Sequence, residues 1–123
     1  MRYTLKTFFL LLGLSSFSMA QIMMQMAKLV ADDAAADDYF GYSVSISGDY
    51  KIVGGYFNDD GGSNSGSAYI FVRDGTSWSQ QAKLVAGDAA ANDHFGISVS
   101  ISGDYALVGA TDDDDAGDGS GSA

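Results

Sequence analysis

DYFGYSVSISGDY, residues 38–50, recurs 55 positions later as DHFGISVSISGDY, residues 93–105. The same offset extends well beyond these two phrases, because residues 27–68 align with residues 82–123 without a gap and 29 of the 42 pairs are identical. An internal period of this length is typical of a repeat architecture, in which each repeat is one supersecondary unit. Each 55-residue period is therefore expected to form one structural unit of the fold.

Each period carries the pattern of short antiparallel strands. In residues 43–47 serine alternates strictly with Val44 and Ile46, which places the two apolar side chains on one face of a strand. Gly48 and Asp49 then form a tight turn, because both tolerate the backbone angles that a two-residue hairpin requires. The four predicted strands cover residues 43–47, 51–54, 68–73 and 78–84. Four antiparallel strands in about 50 residues make one blade of a β-propeller.

The first twenty residues differ in character from the rest. Arg2 and Lys6 precede the apolar stretch 8–14, and Ser18-Met19-Ala20 supplies small residues before a cleavage point. This order is typical of a secretory signal peptide, and the apolar stretch is well short of the roughly 20 residues that span a bilayer. We predict cleavage after Ala20, export from the cell, and no membrane span in the mature chain.

The mature chain is strongly acidic. Without Arg2 and Lys6 it holds four basic and sixteen acidic side chains, a net charge of −12, and every acid is aspartate. Nucleic acids and anionic membranes attract clustered Lys and Arg, so neither is expected as a partner. Aspartate and the sixteen glycines favour turns over helices. Because the chain has no cysteine, no disulfide stabilises it outside the cell.

Several spaced motifs match a known repeat. The elements are Ala27-Lys28-Leu29, the run from Phe40 to Asp49, and the run from Gly66 to Phe71. With Phe40-Gly41 and Gly54-Gly55-Tyr56 as landmarks, the chain resembles the FG-GAP repeat family, which is typified by the propeller of integrin α subunits and is frequent in secreted bacterial proteins. The resemblance implies β-propeller blades, an extracellular or cell-surface location, and a role in binding or adhesion.

The residues of the repeated motif also have a physical interpretation. The phenylalanine of each FG pair would anchor the contact between neighbouring blades, and the glycine after it would let two backbones approach closely. The small serine face would allow close stacking of the sheets. The motif residues are Phe40, Gly41, Gly48, Asp49 and Gly54 in the first copy, and Phe95, Gly96, Gly103, Asp104 and Gly109 in the second.

The calcium loop of the family is missing from both copies. Integrin-type blades carry a D-x-D-x-D-G loop between the FG and GAP strands, where this chain has only SGD at 47–49 and 102–104. One acid on a tight turn cannot supply the six to eight oxygens that calcium takes. The acidic loops 58–64 and 112–118 occupy matching places and offer weak calcium candidates, although solvated turns are the favoured interpretation. The candidates are Asn58, Asp60, Asp112, Asp114 and Asp118. Apart from calcium at these positions, no cofactor is expected.

The sequence contains no constellation typical of catalysis. His94 is the only histidine and its counterpart in the first copy is Tyr39, so the position is interpreted as an aromatic packing site. No G-x-S-x-G elbow occurs and no third group is available for a triad. Trp78 and the tyrosines can stack on sugars, but cross-strand packing is the favoured interpretation. We therefore predict a protein without enzymatic activity.

These observations divide the chain into a signal peptide (1–20), a first repeat (21–81) and an incomplete second repeat (82–123). A propeller closes with four to eight blades, so we expect part of a larger propeller; self-association of chains and incomplete folding are the alternatives. The expected partners are further blades and an extracellular protein or glycan. The predicted function is a secreted or cell-surface, non-catalytic binding or adhesion module. The alternative is the accessory propeller of a secreted hydrolase whose catalytic domain lies outside this chain.

Overall fold

The computed structural model describes residues 25–123, which form an all-β structure. The strands are β1 (Ser43–Ser47), β2 (Tyr50–Gly55), β3 (Ser67–Asp74), β4 (Ser77–Leu84), β5 (Ser98–Ser102) and β6 (Tyr105–Gly109). The first four form one antiparallel sheet in the order β1-β2-β3-β4, and β5 pairs with β6 in a second sheet. The predicted fold class, antiparallel strands grouped as in propeller blades, is confirmed. The predicted signal peptide lies outside the described residues, and within them no helix has the length and apolar character to cross a membrane.

Tight turns explain how the first sheet forms. The pairing of Ser47 with Tyr50 leaves only Gly48 and Asp49 in the β1–β2 turn, and Gly48 has a φ of +55°. Positive φ at this position suits a two-residue hairpin, whose twist then matches that of the strands. The Asp49 carboxylate also accepts a hydrogen bond from the Arg73 guanidinium at 2.6 Å, which ties the turn to β3.

The second sheet repeats the first as far as the chain allows. Ser98 pairs with Gly109 in the register that joins Ser43 to Gly54. Beyond β6, an isolated antiparallel bridge links Ala110 to Ser122, 55 residues after the pairing of Gly55 with Ser67. The described part of the second repeat therefore reproduces the first up to the beginning of a third strand.

Two apolar clusters pack against the first sheet. One contains Ala31, Val53, Tyr69 and Phe71, with Leu29, Phe40 and Trp78 packed against it. The other contains Ile52, Ala68 and Val108, with Ile70, Leu84, Phe95, Val99 and Ile101 packed against it. The second cluster joins the two repeats, because it takes side chains from both sheets. Of the two FG phenylalanines, Phe95 lies in this junction, whereas the Phe40 ring packs against Tyr69 at a centroid distance of 5.4 Å.

The two sheets approach closely where glycines meet. A Cβ atom added to Gly54 would overlap the carbonyl oxygen of Gly96, and one added to Gly96 would overlap the carbonyl oxygen of Ser67. Gly41 is the counterpart of Gly96 and has the same φ of +94°, yet nothing lies within 4 Å of its Cβ position. Within the described residues, only the second FG glycine has a neighbouring sheet against it.

Candidate functional site

Five aromatic rings gather where β1 begins and β2 ends. Tyr39 and Tyr42 precede β1, Tyr56 and Phe57 follow β2, and His94 comes from the second repeat. The antiparallel pairing of β1 with β2 brings the first two pairs together, since it places the start of one strand beside the end of the other. These five side chains are called the aromatic cluster below.

The rings of the aromatic cluster contact one another across both repeats. The centroid of Tyr56 lies 4.3 Å from that of Phe57 and 4.6 Å from that of Tyr42, and His94 lies 5.2 Å from Phe57. The rings are tilted or edge-on, which is the arrangement that their quadrupoles favour. Tyr39 and Tyr42 nevertheless remain 53% and 62% exposed. The cluster therefore exposes part of its aromatic surface to solvent while its centre is packed.

Two members of the cluster have an unusual backbone conformation. Tyr39 and His94 occupy equivalent positions, and both have positive φ angles, 53° and 57°. Residues other than glycine rarely adopt this region. In each repeat the carbonyl oxygen accepts a hydrogen bond from the N–H three residues later, at 3.2 Å from Tyr42 and 3.1 Å from Ile97. The conformation thus belongs to a turn that both repeats share, and it requires no ligand to explain it.

His94 also makes a hydrogen bond to a carboxylate beside the cluster. Its Nδ1 lies 2.6 Å from Oδ2 of Asp112, which accepts a second hydrogen bond from the Thr111 hydroxyl at 3.1 Å. The hydrogen bonds from His94 and then Thr111 lower the pKa of Asp112 below its usual value. The Thr111 hydroxyl bonds the carboxylate and not the imidazole, so the contacts orient the His94 ring and hold a carboxylate beside the aromatic surface.

A second cluster surrounds the ammonium group of Lys83. The Nζ atom contacts carboxylate oxygens of Asp33 and Asp60 and lies 3.1 Å from Oδ1 of Asn58. The Lys83 side chain is only 18% exposed. Burial acts to lower the pKa of Lys83, but the hydrogen bonds to Asp33 and Asp60 outweigh it and the pKa is raised. These four residues form the lysine cluster, in which β4 contributes a cation to acids of the first repeat.

The second repeat carries acids at the positions equivalent to Asp33, Asn58 and Asp60. Asp88, Asp113 and Asp115 are the counterparts of Asp33, Asn58 and Asp60. One carboxylate oxygen from each lies within 4.8 Å of the others. The hydrogen bond with Asp88 and then the charge of Asp113 raise the pKa of Asp115, as expected where like charges crowd together. These three residues are called the acidic triad.

The period seen in the fold is also the period of a known family. The family model for the FG-GAP repeat matches residues 23–71 and again residues 78–123. The chain belongs to the FG-GAP repeat family. The two matches cover most of the chain, and their first residues are separated by the same 55 positions. A comparison with curated proteins found no match.

The five predicted calcium candidates of the FG-GAP chain are not brought to one point. Asn58 and Asp60 belong to the lysine cluster, and Asp112 contacts the aromatic cluster. Asp114 accepts a backbone N–H at 2.7 Å from five residues later in its own loop, and Asp118 is exposed. The groups are thus divided among separate environments.

The alignment of loop 58–64 with loop 112–118 in the sequence analysis is one residue out of register. The structural counterpart of Asn58 is Asp113, not Asp112. Both are buried, and each accepts a serine hydroxyl, from Ser67 at 2.8 Å and from Ser122 at 2.7 Å. Sequence reasoning missed the acidic triad for this reason. The offset of 55, applied to the loops as strictly as to the strands, would have aligned its three members with the lysine cluster.

Proposed function

We propose that this FG-GAP chain is a non-catalytic binding or adhesion module, secreted or held at the cell surface, and that the aromatic cluster contacts its protein or glycan ligand. The observation that carries the proposal is the exposure of Tyr39 and Tyr42 on a packed group of rings. Rings that are already held by their neighbours lose little conformational freedom when a ligand stacks on them.

The chemistry of the cluster favours a neutral or cationic ligand. Tyrosine combines an apolar ring with a polar hydroxyl, so it suits surfaces that are partly apolar and partly wet. Asp112 adds a hydrogen-bond acceptor with a lowered pKa beside the rings. The net charge of −12 on the chain without residues 1–20 opposes anionic ligands. Neutral glycans and basic or aromatic peptide segments meet these conditions.

A binding screen tests the proposal. The full chain is applied to arrays of neutral glycans and of extracellular proteins, and each hit is titrated with Tyr42→Ala. We expect about a tenfold loss of affinity, which corresponds to about 1.4 kcal/mol. Tyr105→Ala is the matched control, because Tyr105 is 83% exposed and lies outside the aromatic cluster.

Three outcomes contradict the proposal. The first is the absence of any hit on both arrays, and the second is equal affinity of wild type and Tyr42→Ala for every hit. The third is a ligand whose mass changes on incubation with the pure chain, because a non-catalytic module returns its ligand intact.

Export is part of the same proposal and has its own measurement. Expression with the native N-terminus in a secreting host should release a protein that begins at Gln21. Intact-mass spectrometry of the released and retained protein checks this. Retention of an intact N-terminus on all of the protein would contradict export through a cleaved signal peptide.

A further inference from the structure

Aspartate is followed directly by glycine at three places in the chain. The three steps are Asp60-Gly61, Asp74-Gly75 and Asp118-Gly119. An aspartate in this setting can cyclise, because glycine has no side chain to shield its backbone nitrogen from the aspartate carboxyl carbon. The two reacting residues are the same at all three steps. A difference in their reactivity therefore arises from the folded structure.

Asp60-Gly61 is held at both reacting groups. The Asp60 carboxylate contacts the Lys83 ammonium group in the lysine cluster, which favours the ionised form. The Gly61 N–H donates a hydrogen bond at 3.1 Å to the hydroxyl oxygen of Ser65, which is fully buried. An ionised carboxylate does not release an oxygen readily, and a nitrogen bonded to a buried acceptor cannot turn toward it. The fold thus protects this step twice.

Asp118-Gly119 is held at one reacting group. Both residues are exposed, so solvent reaches the step. The Gly119 N–H, however, donates a hydrogen bond at 2.7 Å to Oδ1 of Asp114. This bond has to open before the nitrogen can turn toward the carboxyl carbon of Asp118.

Asp74-Gly75 is held at neither reacting group. Both residues are exposed, and Gly75 with Thr76 forms the two-residue turn between β3 and β4. Within the described residues 25–123, the Gly75 N–H donates no hydrogen bond. The neighbouring cation is engaged elsewhere, because the Arg73 guanidinium donates to the Asp49 carboxylate. This step is the least restrained of the three.

The position of Asp74 in the sheet also allows the step to open. Asp74 and Ser77 are the last pair of the β3–β4 ladder, and the end of a ladder opens at a lower free energy than its middle. The preceding residue is anchored, since the Arg73 N–H donates to the Asp49 carbonyl oxygen at 2.8 Å. Opening can therefore be confined to the hairpin tip while the rest of the sheet stays folded.

We propose that Asp74 is the site of a spontaneous modification to isoaspartate, against which the fold protects Asp60 and Asp118. The Gly75 nitrogen bonds to Cγ of the neutral Asp74 carboxyl, and the carboxyl hydroxyl leaves as water with the N–H proton. The product is a five-membered succinimide ring. Water then adds to the carbonyl carbon of the original peptide bond and breaks its C–N bond. The chain now continues through the former side chain, and its mass is unchanged.

The modification would alter one end of the first sheet. It lengthens the main chain by one carbon and leaves a free carboxylate beside it, so the pairing of Asp74 with Ser77 is lost. This end of the sheet contains the β1–β2 turn, whereas the aromatic cluster lies at the opposite end. Ligand binding at the aromatic cluster should therefore survive, and the proposal does not depend on the proposed function.

Incubation of the folded full chain at about pH 6 tests the proposal, because more carboxyl groups are neutral there than at pH 7. Peptide mapping with electron-transfer fragmentation measures isoaspartate at each step over time. We expect Asp74 to convert at least about fivefold faster than Asp118, where a hydrogen bond must open first, and Asp60 to convert most slowly. Asp104 is the matched control, since it lies exposed in the β5–β6 turn but precedes Tyr105, and it should stay unchanged.

The unfolded chain gives the reference rates. In concentrated urea the three steps should convert at similar rates, because each is an aspartate followed by glycine and no fold restrains it. Equal rates at the three steps of the folded chain overturn the proposal. A folded chain in which Asp74 does not convert, while the unfolded chain does, overturns it as well.

Two variants test the cause of the selectivity. Asp74→Asn forms the same ring with ammonia as the leaving group, so it should react faster than wild type and change the intact mass. Asp114→Ala removes the acceptor of the Gly119 N–H and should raise the conversion of Asp118 toward that of Asp74. Circular dichroism checks that both variants fold. Folded Asp74→Asn that reacts no faster than wild type, or folded Asp114→Ala with an unchanged rate at Asp118, overturns the proposal.

Discussion

The strands Ser43–Ser47 and Ser98–Ser102 have one sequence, SVSIS, and opposite burial. In β1 the serines are half-buried while Val44 and Ile46 are exposed, and in β5 the serines are exposed while the apolar residues are half-buried. Both strands are paired in the same register with the next strand. The difference therefore arises from the neighbour: β1 has a sheet against its serine side, and β5 has one against its apolar side.

This comparison shows that a repeat of this kind has two dissimilar faces that fit each other. Burial then depends on the position of a repeat in the stack, as expected where each repeat contacts only its neighbours. Equivalent residues in the two repeats become matched pairs, in which the same substitution meets different surroundings. Three such pairs test this explanation, and their expected effects decrease in the order given.

The FG glycines give the largest expected difference. Gly96→Ala would place a Cβ against the carbonyl oxygen of Ser67, and backbone atoms cannot move aside cheaply. Gly41→Ala has the same φ of +94° but open space. We expect Gly41→Ala to lower the free energy of unfolding by about 1–2 kcal/mol through backbone strain alone, and Gly96→Ala by more than about 3 kcal/mol. Urea denaturation measures both, and equal losses would contradict the close approach of the sheets at Gly96.

The two equivalent lysines give the next difference. Lys83→Ala leaves Asp33 and Asp60 without their cation, and we expect a loss of about 1–2 kcal/mol, discounted because both carboxylates are partly exposed and screened by water. Lys28→Ala removes an exposed side chain and should change the stability of the single chain by less than about 0.5 kcal/mol. Thermal unfolding at low protein concentration measures both. Similar losses would mean that the ion pairs of Lys83 add nothing.

The stability difference between wild type and Lys83→Ala should also depend on pH. Burial acts to raise the pKa of Asp33, but the hydrogen bond with Lys83 and the positive charge of Lys83, together with smaller hydrogen-bond effects, outweigh it and the pKa falls below its ordinary 3.8. The stabilisation by this carboxylate is thus present above pH 3.8 and lost as the pH falls through the lower folded-state value. The pKa of Lys83 is raised above 10.5, so its contribution is lost only as the pH rises through the folded-state value. A difference that stays constant into strong acid would contradict the ion pair.

The smallest expected difference, and one of opposite sign, comes from Asp60 and Asp115. Asp60→Asn removes a charge partner of Lys83 and should lower the melting temperature. The hydrogen bond with Asp88 and then the charge of Asp113 raise the pKa of Asp115, so Asp115→Asn, which removes the crowded negative charge, should raise the melting temperature slightly at neutral pH. The gain should vanish in acid below pH 3.8, where the carboxyl of the unfolded chain is protonated as well. Two shifts of the same sign would contradict the difference between the lysine cluster and the acidic triad.

Most of the fold follows from short stretches of sequence. The alternation in residues 43–47 and the turn at Gly48 and Asp49 predict the β1–β2 hairpin, and the structure confirms both. These features are local, because side-chain alternation and the conformational freedom of glycine act within a few residues. The resemblance to the FG-GAP family was likewise visible in the sequence and is confirmed by the family match.

The candidate sites could be predicted only in part. His94 was expected to pack among aromatic residues, and its ring does contact Tyr56 and Phe57. The lysine cluster was not foreseen, because Lys83 is separated by 23 and 50 residues from Asp60 and Asp33. Such contacts depend on how β4 returns along β3, and no local pattern encodes that path.

The period of 55 residues, the strands, the turns and the family of this chain follow from local sequence. Tertiary packing controls which face of each SVSIS strand is buried, which lysine is ion-paired, and which glycine cannot accept a side chain. The physical reason is that secondary structure depends on neighbours along the chain, which the two repeats share. Burial and charge pairing depend on neighbours in space, which they do not share.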